Sequence, residues 1–315
     1  MRQSWRRPDQ PRARSAPEGD GMSNLRKALD GLDWSGWLGA GIVGLIVLAA
    51  IFAPLIAPYD PLALNIEDRL AAPDAAHWLG TDQGGRDVLS RILFGARASL
   101  SVGVGAVLIG ALIGVSAGIF AAYKGGFGEQ IVMRIVDGVA SIPLLVWAIA
   151  IVGILGVGPL PLGPLLLPNE VKIVVLVGGL FSPVFARVTY AVARRIAGAD
   201  YVRARFLQGA SHWQIVIGDV LPNCLSPIIV QGTLLVAIGI VIEASISFVG
   251  LGVQPPQPSW GTMLSDARSA IYSGEWWLPV FPGLAISLTV IGFNLLGDAV
   301  RELFDPRSEA RTLVA

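Results

Sequence analysis

Cysteine, histidine and charge are all scarce in this 315-residue chain. The single cysteine, Cys224, excludes an internal disulfide. Its expected place is as a small buried apolar residue. Two histidines, His77 and His212, cannot build a dedicated metal cluster alone, and each is expected as a polar surface or interface residue. Charged residues make up only 15% of the chain and cancel to a net charge of zero. No overall field therefore points to nucleic acid. The phosphate-binding pattern G-x-x-x-x-G-K-[ST] is missing, since Lys27, Lys124 and Lys172 follow no such loop. H-E-x-x-H is missing too. No catalytic residue, metal site or cofactor is assigned.

What is plentiful is apolar sequence, at 53%, too much for a soluble domain of this size. Six apolar runs read as membrane-spanning helices: 37–57, 98–123, 131–157, 172–193, 223–250 and 277–300. The first run is too long and too far from the terminus for a cleaved signal. The second holds Gly110, Gly114 and Gly118, a smooth stripe for close helix packing. The fourth is the shortest, with Arg187 expected to reach toward water. Six spans place both termini on one side. Of the 23 Lys and Arg residues, 17 fall on the terminal side and 6 on the other, so both termini are expected in the cytoplasm. The expected division is a basic, partly disordered cytoplasmic tail over 1–36, a first span with an outer segment over 37–97, a five-helix core over 98–303 and a cytoplasmic tail over 304–315.

Residues 200–222 stand apart as two short helices between apolar runs. Asp200 is expected to cap the first, which carries Tyr201, Ala204, Arg205 and Phe206. Gly209 breaks it, because glycine reaches φ > 0 without steric cost. Ser211 and Gln214 have capping-box spacing and start the second helix, which is expected to stop before Pro222. Such a pair beside a membrane is a docking surface. Glu243 is the acid farthest inside a span, and it either lines a path or is paired structurally. Asn294 is a second path candidate. With so few intramembrane acids, a carrier coupled to a proton or Na⁺ gradient is the weaker alternative. A hydrolase built on Asp137 and Asp298 is weaker still, and an exporter or sensor is the remaining non-enzymatic possibility.

Three blocks resemble the inner-membrane permease subunits of ABC importers, in the dipeptide/oligopeptide/nickel group and of the permease C type. They are HWLGTDQGGRDVLSRILFGARASLSVG at 77–103, DYVRARFLQGASHWQIVIGDVLPN at 200–223, and EASISFVGLGVQPPQPSWGTML at 243–264 continuing to FNLLGDAVRELFDPR at 293–307. The resemblance spans roughly 37–307. It implies an all-α integral membrane protein of the bacterial inner membrane, with six transmembrane helices in a type I ABC importer arrangement. It implies import of peptides or related small solutes by alternating access, with ATP hydrolysed by separate subunits. The implied partners are a second homologous permease, two ABC ATPase subunits or domains, an outer solute-binding protein and the bilayer, with no nucleic acid. Residues 200–222 would be cytoplasmic coupling helices, docking an ATPase through Asp200, Tyr201, Ala204, Arg205, Gly209, Ala210, Ser211, Leu221, Pro222 and Asn223. Arg205 departs from the family, which usually has a small residue there. It would either alter ATPase pairing or point to water. Gly80, Thr81, Asp82, Gly85, Arg86 and Asp87 would lie outside, contacting the binding protein or partner permease, or simply forming a turn with Asp–Arg pairing.

Overall fold

The computed structural model describes residues 33–162, 165–268, 270 and 274–304. Most of the basic tail and the C-terminal tail assigned from sequence lie outside these residues. Among these residues ten α-helices follow in order: α1 Trp34–Ile56, α2 Val88–Lys124, α3 Gly126–Ala140, α4 Leu144–Leu155, α5 Asn169–Ala197, α6 Asp200–Leu207, α7 His212–Ile215, α8 Leu221–Phe248, α9 Trp260–Asp266 and α10 Trp277–Leu303. A π turn, Val216–Val220, joins α7 to α8. A small antiparallel hairpin, β1 Leu160–Leu162 with β2 Leu165–Leu167, interrupts the otherwise helical chain between α4 and α5.

Five helical stretches are long and apolar enough to cross a membrane, and the pair α3 and α4 brings the number to six when counted together. The expectation of six spans therefore holds, with one correction. The third span is not one helix over 131–157 but two, bent by 80°. Pro143 sits at the break as the N-cap of α4. Proline has no N–H to donate and its ring disfavours helix in the residue before it.

Helix α2 begins at Val88, well before the expected start at 98. Asp87 caps it by accepting from the Ser90 N–H at 2.8 Å. With 37 residues at 1.5 Å each it is about 55 Å long, against a hydrocarbon core of about 30 Å. One end must therefore project from the bilayer. Arg91 lies in that end, where its charge is paired.

Helix α2 packs along α5, with α8 and α1 also against it, and α10 packs on α1 and α8. The glycine stripe makes the α2–α5 approach possible. A Cβ on Gly110 would lie 2.8 Å from Phe181 Cβ and 2.9 Å from the Gly178 carbonyl oxygen. On Gly118 it would lie 2.6 Å from the Ala186 carbonyl oxygen. Backbone meets backbone there, as small-residue stripes permit in membranes. Phe181, Phe185, Ile173 and Ile240 fill the surrounding core without exposure. A second small cluster of Ala122, Ala193, Ile196, Val202, Ile215, Val220 and Cys224 lies under α6 and α7. Cys224 is thus the buried apolar residue expected.

Candidate docking surface

The segment 198–223 folds on itself through two local devices. At the end of α6, Gly209 donates to the Phe206 carbonyl at 3.0 Å and Ala210 to the Arg205 carbonyl at 3.1 Å. These are the two bonds of a Schellman motif, and Gly209 takes φ +87°. At the start of α7, Ser211 Oγ accepts from the Gln214 N–H at 3.3 Å, and Gln214 Oε1 accepts from the Ser211 N–H at 2.8 Å. Both orphan donors are satisfied. Val202 and Ile215 pin the two helices to the membrane core. Leu207 is 90% exposed, with Tyr201 and Phe206 also exposed, while Trp213 and Ile217 line an apolar groove against Leu112, Phe120 and Tyr123 of α2. His212 stands edge-on to Tyr123 and tilted against Phe206.

Two sequence expectations are corrected here. Asp200 does not cap α6; it is the first helical residue, and Ala199 holds the cap position without a side-chain bond. The carboxylate still lies in the first turn, where the helix dipole favours it. The second docking helix does not stop before Pro222 either. It continues through the π turn into α8, with Pro222 in the first turn of that helix. A missing N–H costs least in a first turn. Of the ten docking candidates, Asp200, Tyr201, Ala204, Arg205, Gly209, Ser211, Pro222 and Asn223 are exposed, while Ala210 and Leu221 are half-buried. Arg205 does not simply face water, because its guanidinium meets Asp219 at 2.8 Å. Sequence reasoning did not single out Asp219. Its sign and its distance from Arg205 were the available signal.

The other end of the bundle carries a platform before α2. Asp82 accepts from the Gly84 N–H at 2.7 Å, the Arg86 N–H at 3.1 Å and Arg86 Nε at 2.8 Å. It also accepts from Arg91 Nη1, whose Nη2 reaches Asp266 of α9 at 3.3 Å. Burial pushes the Asp266 carboxyl above the usual carboxylate range, and Arg91 and Arg86 oppose that shift. His77 is buried, contrary to expectation, with Nδ1 at 2.9 Å from Asp87. Asp87 in turn accepts from Ser90. The Thr81 carbonyl accepts from Trp277 Nε1 at 3.2 Å. Gly80 and Gly85 take φ near +70°, and a Cβ on Gly80 would lie 2.8 Å from the Ala71 carbonyl oxygen. Thr81, Asp82 and Asp87 are buried and bonded within the chain. Within the chain these residues have the turn arrangement: Gly80, Thr81, Asp82, Gly85 and Asp87 build it, and Arg86 braces it through Asp82.

Glu243 is wholly enclosed. Its Oε2 accepts from Ser99 of α2 at 2.8 Å and its Oε1 from Ser247 at 2.6 Å. Each hydroxyl is itself engaged, Ser247 accepting from the Val253 N–H at 3.1 Å and Ser99 from the Trp260 N–H at 3.4 Å. The acid thus clamps α8 to α2 and to the start of α9, and it lines no path in this conformation. Asn294, in contrast, lies exposed in the middle of α10. Asp137 pairs with Arg187 at 2.8 Å on the surface, and Asp298 is exposed on another helix. No acid dyad forms between them. Among the described residues no cluster of metal-ligating side chains occurs.

Two protein-family models match the sequence. Residues 110–309 match the binding-protein-dependent transport system inner membrane component, and residues 33–73 match the N-terminal transmembrane domain of oligopeptide transport permease C. A di/tripeptide transport system permease protein DppC from Pseudomonas aeruginosa is 40% identical over 84% of this chain and 85% of its own length. A glutathione transport system permease protein GsiD from Pectobacterium atrosepticum is 39% identical over 85% of this chain and 86% of its own. A probable D,D-dipeptide transport system permease protein DdpC from Escherichia coli is 37% identical over 85% and 86% respectively. The chain belongs to the family of inner-membrane components of binding-protein-dependent transport systems, and it is an ABC importer permease rather than a carrier powered by an ion gradient.

Proposed function

We propose that this permease imports short peptides, or solutes of similar size and polarity, and that residues 200–222 receive the ATPase that powers it. The observation carrying this reading is the helix–Gly209–helix element. Backbone bonds and a capping box fix its shape, while its apolar residues Tyr201, Phe206 and Leu207 are left exposed. A free-standing protein gains nothing by ordering such a surface away from its core. In this reading the element and both termini face the cytoplasm, and the platform at 58–97 faces outward. A second permease completes the path, two ATPase subunits or domains dock below, and a solute-binding protein delivers substrate from outside. The chain performs no covalent chemistry. ATP hydrolysis elsewhere shifts its inward-open and outward-open populations, through ligands that bind the two states unequally. Asn294 is assigned to the path, and Arg86 with the exposed rim around it to outer contacts.

Peptide as substrate class comes from the relatives' names, and selectivity is shared with the binding protein. The test is purification of the tagged chain from native membranes in mild detergent, followed by reconstitution and uptake of a radiolabelled dipeptide. Recovery of an ATPase and a second permease, with uptake that needs ATP and survives collapse of the ion gradients, is the expected result. A chain recovered alone from membranes in which other ABC complexes stay intact overturns the docking reading. An intact complex that, supplied with its solute-binding protein, hydrolyses ATP but takes up no di- or tripeptide overturns only the substrate class.

A further inference from the structure

We propose that Arg205 and Asp219 are a positioning pair that makes the docking helix α6 and the span α8 turn as one body. The inference rests on the docking reading above. Two irregular points separate the exposed surface of α6 from the membrane span. One is the Gly209 turn. The other is the π turn, where the Leu221 N–H reaches back to the Val216 carbonyl in place of the usual i−4 partner. Helices bend most readily at such turns, so a push on α6 would be absorbed there before it reached α8.

Arg205 crosses both points. Its carbonyl accepts the Ala210 N–H that closes the glycine turn. Its Nη1 lies 2.8 Å from Oδ1 and 2.8 Å from Oδ2 of Asp219, within the π turn. The Asp219 carbonyl accepts from Asn223 Nδ2 at 2.6 Å, one residue past Pro222. Arg205, Asp219 and Asn223 therefore form a continuous polar strut from the docking helix to the first turn of the span. The Asp219 side chain is only 12% exposed, so its charge is largely withheld from solvent. Arg205 is not a free cation offered to a partner, because its charge is used within the chain. Docking contact is left to the neighbouring apolar residues.

Without the strut, α6 stays folded through its Schellman bonds and the packing of Val202, but its angle to α8 is no longer fixed. The pair is partly exposed, so its loss lowers the population at the native angle by up to about 5-fold.

The test uses spin labels at Arg203→Cys and Ile229→Cys on a Cys224→Ala background, in the complex as purified from membranes. Pulsed electron–electron resonance reads the distance distribution. Arg205→Asp and Asp219→Arg are each expected to broaden it and to lower ATPase recovery by up to about 5-fold, and the double exchange to narrow it again and restore recovery. Arg205→Gln, which removes charge without adding repulsion, serves if a reversal prevents folding, and it is expected to broaden the distribution less. A distribution unchanged in Arg205→Gln and the reversals overturns the proposal. So does a double exchange as broad as either single. So does ATPase recovery that stays low in the double exchange, because that would make Arg205 a contact residue. A wild-type chain recovered without ATPase would sink the docking reading instead, and the same labels would still report the strut in the permease alone.

Discussion

Gly209 gives the sharpest test of the docking element, because two kinds of effect separate cleanly there. Its φ is +87°, yet a Cβ built on it meets nothing within 4 Å. Substitution therefore introduces conformational strain without a clash. A β-branched side chain in the left-handed region costs about 1–2 kcal/mol. Asparagine, which tolerates that region far better, should lose much less. If docking selects the turned conformation, apparent affinity falls with the fraction of chains holding it. The strain then corresponds to a loss of up to roughly 5- to 30-fold for Gly209→Val. The assay is retention of the ATPase on immobilised permease over a dilution series, for wild type, Gly209→Asn and Gly209→Val. The expected order is wild type, then asparagine close behind, then valine. Equal losses for asparagine and valine would show that the site needs space or a bare backbone for the partner, refuting the conformational argument. No loss in either would refute the turn's role in docking.

Gly114→Leu should prevent the α2–α5 approach, because even a Cβ there would lie 2.6 Å from Phe185 Cβ. Overpacking of this kind costs about 1–3 kcal/mol or more, seen as a lower melting temperature of the detergent-purified chain. Glu243→Ala should destabilise by about 2–5 kcal/mol, through its cavity and two hydroxyls left without an acceptor. Glu243→Gln should cost about 1–2 kcal/mol, because one hydroxyl loses its acceptor. Melting curves matching wild type for both Glu243 variants would contradict the clamp. Asp82→Asn leaves Arg91 buried with a weakened partner and should cost about 3 kcal/mol. Faster proteolysis within 58–87, with the spans unaffected, is the expected readout.

The spans, the glycine stripe, the Gly209 turn and the Ser211 box were legible because each is written in a short local pattern. The break at Pro143 was missed, because the proline stands inside an apolar run whose length suggested one helix. Helix α9 also carried a local sign, since Ser259 and Thr262 have the reciprocal spacing of a capping box. Its short length and proline-rich approach hid it. What could not be read were pairings between distant positions. Ser99 and Glu243 are 144 residues apart, and Arg91 and Asp266 are 175 apart. An acid in a span looks the same on the page whether it faces a path or a clamp. A motif such as GTDQGGRD likewise looks like a contact surface until the fold shows its oxygens spent on its own backbone and arginines.

Burial has a different meaning on the two kinds of surface this chain presents. Along the spans, exposed Leu112, Leu284 and Leu288 carry no information, because lipid is as apolar as they are. A polar group exposed at the same depth is informative, because hydrocarbon offers it no partner. By that criterion Glu243 is structural, since every oxygen is satisfied inside the chain. Asn294 is the opposite case. Among the described residues no hydrogen bond within the chain engages its amide, and it sits in mid-span on the open side of α10. At the end bearing α6 and α7 the rule reverses. Water is available there, so it is the exposed Phe206 and Leu207 that require a partner. On the proposed function, a polar residue uncovered in the membrane and apolar residues uncovered at its edge are together what a subunit shows when both its path and its engine are completed by other chains.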